Sequence, residues 1–232
     1  MKKIVVFSGA GMSAESGIQT FRGNDGLWEN YKIEDVATPS AWNKDPDLVT
    51  TFYNQRRKSV LNASPNKAHY AIANLESIAE VTVITQNIDD LHERSGSKNV
   101  LHLHGNIRYS KSSGPNQERE YYPVDGWELT PEDVCPEGYR LRPHVVWFGE
   151  DVPAYPDAIE ILRSADILIV IGTSLQVYPA AGLIHYAENA VNKYIIDPNA
   201  EELIVPSDFT KINAGASDGI HQLREKLLEI LR

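Results

Sequence analysis

Short Val/Ile-rich runs alternating with helical stretches predict an α/β fold: a Rossmann-like parallel sheet with helices on both faces, plus a smaller inserted module. Three observations carry that expectation. The apolar runs lack polar alternation, as strands covered on both faces do. A glycine loop directly follows the first run, and two polar stretches interrupt the alternation.

In chain order, strands are expected at 4–8, 81–85, 100–104, 144–148, 166–172, 193–197 and 210–214, with helices at 68–77, 156–164, 180–190 and 218–231. Asp218 is the expected N-cap of the last helix, and Ile220, Leu223, Leu227, Leu228 and Leu231 make its apolar stripe. Segment 23–65 holds Trp28, Tyr31, Trp42, Phe52 and Tyr53 but no clear strand, and 106–142 is broken by Gly114, Pro115, Pro123, Gly126, Pro131, Pro136 and Gly138. Both read as insertions that form a small module over one edge of the sheet. The larger part is then 1–22, 66–105 and 143–232, within one unit spanning 1–232.

Composition excludes several classes. The chain has 232 residues, 22 Lys+Arg against 32 Asp+Glu, and a formal net charge of −10. That balance argues against binding a nucleic-acid backbone, which needs clustered cations. One Cys rules out a disulfide framework and a Cys-rich zinc site. No apolar run approaches the roughly 20 residues of a spanning helix, and the N-terminal apolar run is too short for a signal peptide. The expectation is a cytoplasmic protein.

Gly9-Ala10-Gly11-Met12-Ser13-Ala14 follows the first strand and fits G-x-G-x-x-G/A. Such a loop is either a plain glycine turn or a turn that brings backbone close to a pyrophosphate at a helix N-terminus. An acid about 20 residues on, ending the next strand, would mark a dehydrogenase. Here that stretch is Phe21-Arg22-Gly23-Asn24-Asp25-Gly26, with no strand before it, so ordinary hydride transfer is not supported.

In open parallel sheets the ligand lies beyond the carboxyl ends of the strands. At those ends stand the glycine loop, Gln86-Asn87-Ile88-Asp89-Asp90, His102-Leu103-His104-Gly105, Phe148-Gly149-Glu150 and Gly172-Thr173-Ser174. Each has a bland alternative. Gln86 and Asn87 can cap a helix, with Asp89 and Asp90 in its first turn. His102 and His104 would share one strand face, as a metal pair or as ordinary structural histidines, and no third ligand accompanies them. The strand-end position beside Gly105 favours His104 as a general base. Gly172-Thr173-Ser174 is a plain turn or a set of donors for phosphate and ribose oxygens.

Taken together, Gly9 through Ile18, Thr20-Phe21-Arg22, Thr85-Gln86-Asn87-Ile88-Asp89, His104-Gly105, Phe148-Gly149-Glu150 and Gly172-Thr173-Ser174-Leu175 resemble the sirtuins, the NAD-dependent protein-lysine deacylases. The motifs run in family order over nearly the whole chain. The resemblance implies that NAD is consumed: the acyl oxygen of a modified lysine attacks the ribose carbon bearing nicotinamide, giving free lysine, nicotinamide and O-acyl-ADP-ribose. It assigns His104 as base on a ribose hydroxyl, Asn87 to ribose or water, Asp89 to the nicotinamide amide and Gln86 to ribose. Phe21 would shield the activated intermediate, with Arg22 on the same loop. Gly9, Ala10, Gly11, Ala14, Glu15, Thr20, Ile88, Gly172, Thr173 and Ser174 would complete the NAD site. Asp197 stands where the family usually has an Asn for the adenosine ribose, with Asn199 nearby, and Ala216 would meet the adenine. Val146, Phe148, Gly149 and Glu150 would flank the substrate peptide as an added strand.

Tyr53 and Arg56 share a helix face at i, i+3. Arg56, Arg57 and Lys58 read either as a solvated basic patch or, with Tyr53, as resembling the Tyr-x-x-Arg of sirtuins that remove acidic acyl groups. An Arg fork suits a succinyl carboxylate and a Tyr hydroxyl adds a donor. The implied activity is deacetylation plus desuccinylation on acylated lysine proteins, by a monomer. The alternatives are ADP-ribosyl transfer or NAD hydrolysis in the same site, and a non-catalytic NAD sensor. Most sirtuins carry two Cys pairs that bind structural zinc. Here only Cys135 is present, so the small module is expected to be zinc-free and held by Tyr121, Tyr122, Trp127, Leu129, Tyr139 and Leu141. Metal analysis of the purified protein is expected to find no stoichiometric zinc; finding it would overturn this expectation.

Overall fold

The computed structural model describes residues 1–20, 27–28 and 31–231. In chain order the elements are β1 (Lys3–Ser8), α1 (Gly11–Ala14), β2 (Leu27–Trp28), β3 (Tyr31–Lys32), α2 (Ile33–Val36), α3 (Pro39–Lys44), α4 (Pro46–Asn62), α5 (Lys67–Asn74), β4 (Glu80–Thr85), α6 (Leu91–Arg94) and β5 (Val100–His102). There follow β6 (Gly105–Ser112), β7 (Tyr121–Pro123), β8 (Leu141–Val145), α7 (Tyr155–Arg163), β9 (Ile167–Ile171), β10 (Asn192–Asp197), β11 (Phe209–Asn213) and α8 (Ala216–Ile230). Short 3₁₀ turns occupy Leu75–Ser77, Ala180–Tyr186 and Ala200–Glu202.

Six strands form a parallel sheet in the order β11-β10-β9-β1-β4-β5. The two-residue period of β1 divides its side chains between two cores. Ile4 and Val6 pack with α5 and α8 through Ile72, Ile220, Leu223 and Leu227. Val5 and Phe7 pack with α7 and the 180–186 turn through Leu162, Leu183 and Ile184. A strand buried on both faces explains why its sequence does not alternate.

Beyond the β5 edge, β7-β6-β8 form a separate antiparallel sheet. This corrects the strand expected at 144–148, which is β8, with limits earlier in the chain and a place outside the parallel sheet. Gly105, at φ 83°, makes the change of direction, and a Cβ there would strike the His144 carbonyl. Segment 23–65, expected without a clear strand, holds among its described residues the short β2–β3 pair and then the helices α2, α3 and α4. Thr38 Oγ1 accepts from Ala41 N–H and Asp45 Oδ1 from Leu48 N–H, each cap followed by a helix-starting proline. The 180–190 helix is a 3₁₀ turn ending at Tyr186. Gly215, not Asp218, is the N-cap of α8, and Asp218 lies in its first turn.

The aromatics expected to hold the small module divide. Leu129 and Leu141 form its core with Val124 and Cys135, and Tyr122 packs against them. Tyr121, Trp127 and Tyr139 are 40%, 38% and 46% exposed. A larger third core lies beside it, where α4 places Val49, Phe52 and Tyr53 against Ile88, Leu91, Ile107 and Trp147.

Arg57 is not solvated: it is fully buried, and burial with the nearby Arg108 charge lowers its pKa to about 10. Its guanidinium donates to the carbonyls of Ile107 (2.6 Å) and Trp127 (2.8 Å) and to Asn54 Oδ1 (2.8 Å). Asn54 in turn exchanges two bonds with the Leu129 backbone. Arg57 therefore ties α4 to β6 and to the 127–129 loop. Arg57→Met leaves three buried acceptors without that donor, and chemical denaturation is expected to show a loss of about 2–4 kcal/mol.

Candidate active site

The glycine loop is built against the end of β9. Gly9 N–H donates to the Ile171 carbonyl (3.1 Å) and Gly11 N–H to the Gly172 carbonyl (2.8 Å). Cβ atoms at positions 9 and 11 would lie 2.6 Å from Thr173 Cβ and 2.9 Å from Gly172 Cα. The two glycines are thus required by backbone contact within the protein itself. Asn66, which caps α5, donates to the Met12 carbonyl (2.8 Å) and to Ser16 Oγ (3.1 Å), anchoring α1 from below.

Gln86 through Asp89 follow β4 beside this loop. Gln86 N–H donates to the Ser8 carbonyl, and its amide donates to Thr173 Oγ1 at 3.1 Å. Ser13 joins the two segments: its hydroxyl donates to Asp89 Oδ2 (2.9 Å) and accepts from Asn87 Nδ2 (3.1 Å). Asp89 also accepts from Leu91 N–H through Oδ1. Burial raises the Asp89 pKa, opposed by the Ser13 and Leu91 hydrogen bonds. Asn87 N–H donates to Thr85 Oγ1, which also accepts from Ser8 Oγ. His92 Nε2 lies 3.0 Å from that Ser8 oxygen, and its ring meets His69 edge to face at 4.9 Å.

His104 is half-buried just past β5, with Nδ1 3.0 Å from the Gln86 carbonyl. The carbonyl can only accept, so Nδ1 carries the proton and Nε2 keeps its lone pair. Burial lowers the His104 pKa despite the Gln86 contact, which favours the neutral ring. The His104 carbonyl accepts from Val146 N–H at 2.9 Å, and Phe148 N–H donates to the Ala37 carbonyl at 3.0 Å. The 146–150 segment is therefore tied to His104 at one point and to α2's end at another.

Trp147, between two expected substrate residues, was not legible as a site residue; the alternation of its neighbours was the available signal. It is 2% exposed, and its indole donates to Tyr53 Oη at 3.1 Å. Tyr53 is fully buried and Arg56 is 5% exposed, so both lie within the protein and not on a solvated patch. Burial raises the Tyr53 pKa, while the Arg56 charge pulls it down. The Glu150 carboxylate accepts from Arg142 at 2.6 and 3.0 Å and from Trp147 N–H at 2.8 Å. Arg142 also lies over the Trp147 ring, 3.3 Å from its centroid. Glu150 thus braces the segment through Arg142.

The remaining expected residues are spread over several places. Gly172 takes φ 64° against the glycine loop; Thr173 is buried and Ser174 exposed. Ile88 is buried in the third core. Glu15 Oε1 accepts from Ser217 N–H at 3.0 Å, so Glu15 caps the start of α8. Ala216 packs into the sheet core. Asp197, at the end of β10, accepts from Asn199 N–H at 2.9 Å. Ala10 and Thr20 are half-buried and Ala14 is exposed. Phe21 and Arg22 lie outside the described residues. His102 does not pair with His104 on one strand face, since β5 ends at His102. Among the described residues no cluster of three or more His, Cys, Asp or Glu could hold a metal ion, and no helix is long and apolar enough to cross a membrane.

A parallel sheet whose carboxyl ends bring together a glycine loop, Gln-Asn-x-Asp and a half-buried His defines a class of protein. The chain belongs to the Sir2 family, whose model matches residues 9–179. It is 46% identical to the NAD-dependent protein deacylase of Bacteroides thetaiotaomicron, over 98% of this chain and 99% of the relative. A solved Sir2 homologue–NAD complex superposes with a TM-score of 0.87 at 40% identity, covering 100% of this chain and 91% of that one. A Sir2–p53 peptide–NAD+ structure gives 0.77 at 30% identity, covering 97% and 93%.

The buried imidazoles make stability depend on pH. Burial depresses His69 to about 4, and burial with the Lys111 charge depresses His144 to about 4, both from 6.5. Between these values the unfolded chain binds protons that the folded chain refuses, so stability falls as pH falls. Denaturant midpoints are expected to decline as pH is lowered from about 6.5 towards 4, at constant ionic strength.

Proposed function

We infer that the protein is an NAD-dependent protein deacylase in which His104 is the general base. The observation that carries this reading is the pinned, neutral imidazole: Nδ1 is held by the Gln86 carbonyl, leaving Nε2 to take a ribose proton. NAD supplies an electrophilic ribose carbon on loss of nicotinamide. This chain's residues bind and orient around that carbon. The glycine loop with Gly172, Thr173 and Ser174 suits phosphate and ribose oxygens, and Gln86 reaches the same rim through Thr173. Asn87 and Asp89, locked by Ser13, would orient ribose or water and the nicotinamide amide. Phe21 and Arg22, Asp197 and Asn199, and Ala10, Ala14, Glu15, Thr20, Ile88 and Ala216 complete the proposed NAD site.

The acylated lysine peptide would add as a strand along Val146, Phe148, Gly149 and Glu150. The acyl chain would run towards Tyr53 and Arg56, where the buried guanidinium favours an acidic group such as succinyl. The division into a larger unit (1–22, 66–105, 143–232) and a small module (23–65, 106–142) belongs to the same reading. So do a zinc-free module, supported by the single Cys, and the absence of nucleic-acid contacts, supported by the charge of −10; monomeric state, cytoplasmic location and absence of membrane contacts belong to the same reading.

The test is incubation with NAD and acetyl- or succinyl-lysine peptide, read by mass spectrometry. Nicotinamide, free lysine and O-acyl-ADP-ribose are expected. ADP-ribose without deacylation would point to NAD hydrolysis, and no turnover to a sensor. Arg56→Met is expected to lower succinyl kcat/KM about 10–100-fold more than acetyl kcat/KM, the value of one charge-assisted bond. Equal effects on both substrates would remove Arg56 from the acyl pocket.

A further inference from the structure

Two histidines, His102 and His104, pin consecutive carbonyls of one loop. His104 Nδ1 meets the Gln86 carbonyl, and His102 Nδ1 lies 3.1 Å from the Asn87 carbonyl. Their other nitrogens differ. His102 Nε2 is 2.6 Å from Glu93 Oε1, with the Asn106 amide at 3.3 Å. The Asn87 carbonyl and the Glu93 carboxylate can only accept, so His102 meets both only by donating from both nitrogens, as the imidazolium; Asn106 Nδ2, itself a donor whose amide oxygen is taken by Arg108 N–H, opposes this but at 3.3 Å is a much longer contact than Glu93 at 2.6 Å. Its side chain is 11% exposed and that of Glu93 39%.

We propose that His102, held as an imidazolium by Glu93, is a positioning residue for Asn87 and that its loss of a proton releases the Asn87 backbone. The inference rests on the deacylase reading, in which Asn87 orients ribose or water. Asn87 is held at three points: its N–H by Thr85, its side chain by Ser13 and its carbonyl by His102. Only the last is charge-assisted and titratable near neutral pH.

Of the groups around His102, Glu93 and Asp89 favour the charge. Facing His102 are Glu93 and His92 from α6, Asp89 from the segment after β4, His144 from β8 and Asn106 from β6. Burial opposes the imidazolium, but the Glu93 and Asn87 contacts and the Asp89 charge outweigh it, and the His102 pKa is raised. His104, lacking a carboxylate partner, is shifted the other way. One histidine is thereby suited to hold and its neighbour to accept a proton.

His102 is charged at low pH and loses its proton as pH rises through a raised pKa, so it limits activity on the alkaline side. His104 must be neutral and limits activity on the acid side. The experiment is the pH profile of kcat and KM for the full chain with NAD and acetyl-lysine peptide. Glu93→Gln, at a partly exposed carboxylate, is expected to move the alkaline limb down by about one pH unit or more. His102→Gln, which keeps a neutral amide donor, is expected to abolish that limb and to lower kcat about 5–10-fold at neutral pH, with peptide KM changed less than about twofold. Wild-type turnover whose alkaline limb is the same in both variants would overturn the inference alone. Absence of wild-type deacylation would overturn the underlying reading and this inference with it.

Discussion

The site depends on one buried hydroxyl. Ser13 sits on α1, after the first strand, and bonds both Asn87 and Asp89, after the fourth. Two strand ends that are neighbours in the sheet become a single rigid rim through it. Deleting the hydroxyl would leave a buried carboxylate and a buried amide each short of a partner, a state that costs more than the bond itself contributes. The loop that places Ser13 is in turn seated by close backbone contact with Gly172, and α1 is held from below by Asn66.

A second set of contacts carries this order to the side where an acyl-lysine would enter. The His104 carbonyl holds Val146, Trp147 holds Tyr53, and Arg142 and Glu150 hold Trp147. His104 and the proposed acyl pocket therefore share one framework. Arg57 and Asn54 fasten that framework to the small module through backbone carbonyls, in a part of the chain with only one cysteine.

The parallel sheet was legible because strands such as Ile167–Ile171 are apolar on both faces, which a strand with one solvated face would not be. The glycine loop, Gln86–Asp89, His104-Gly105 and Gly172-Thr173-Ser174 stand out in the sequence because they follow β1, β4, β5 and β9. What escaped is equally physical. Val145 ends an antiparallel strand that is buried on both faces, as the parallel strands are, so the apolar run it begins could not assign its sheet. The α4 helix was obscured by its polar, aromatic-rich sequence, although Asp45-Pro46 marks its start. Trp147 and Ser13 act through tertiary partners far along the chain, whose identity no local pattern reports. The Glu150 carboxylate is taken up by Arg142, a partner eight residues away that no local pattern announces.

The central claim is that His104 is a neutral base with its proton fixed on Nδ1. Nitrogen-15 NMR of the imidazole side chains at pH 7 measures this directly. The account predicts a neutral His104 ring protonated at Nδ1, with Nε2 unprotonated. An imidazolium, or a ring protonated at Nε2 alone, would contradict it.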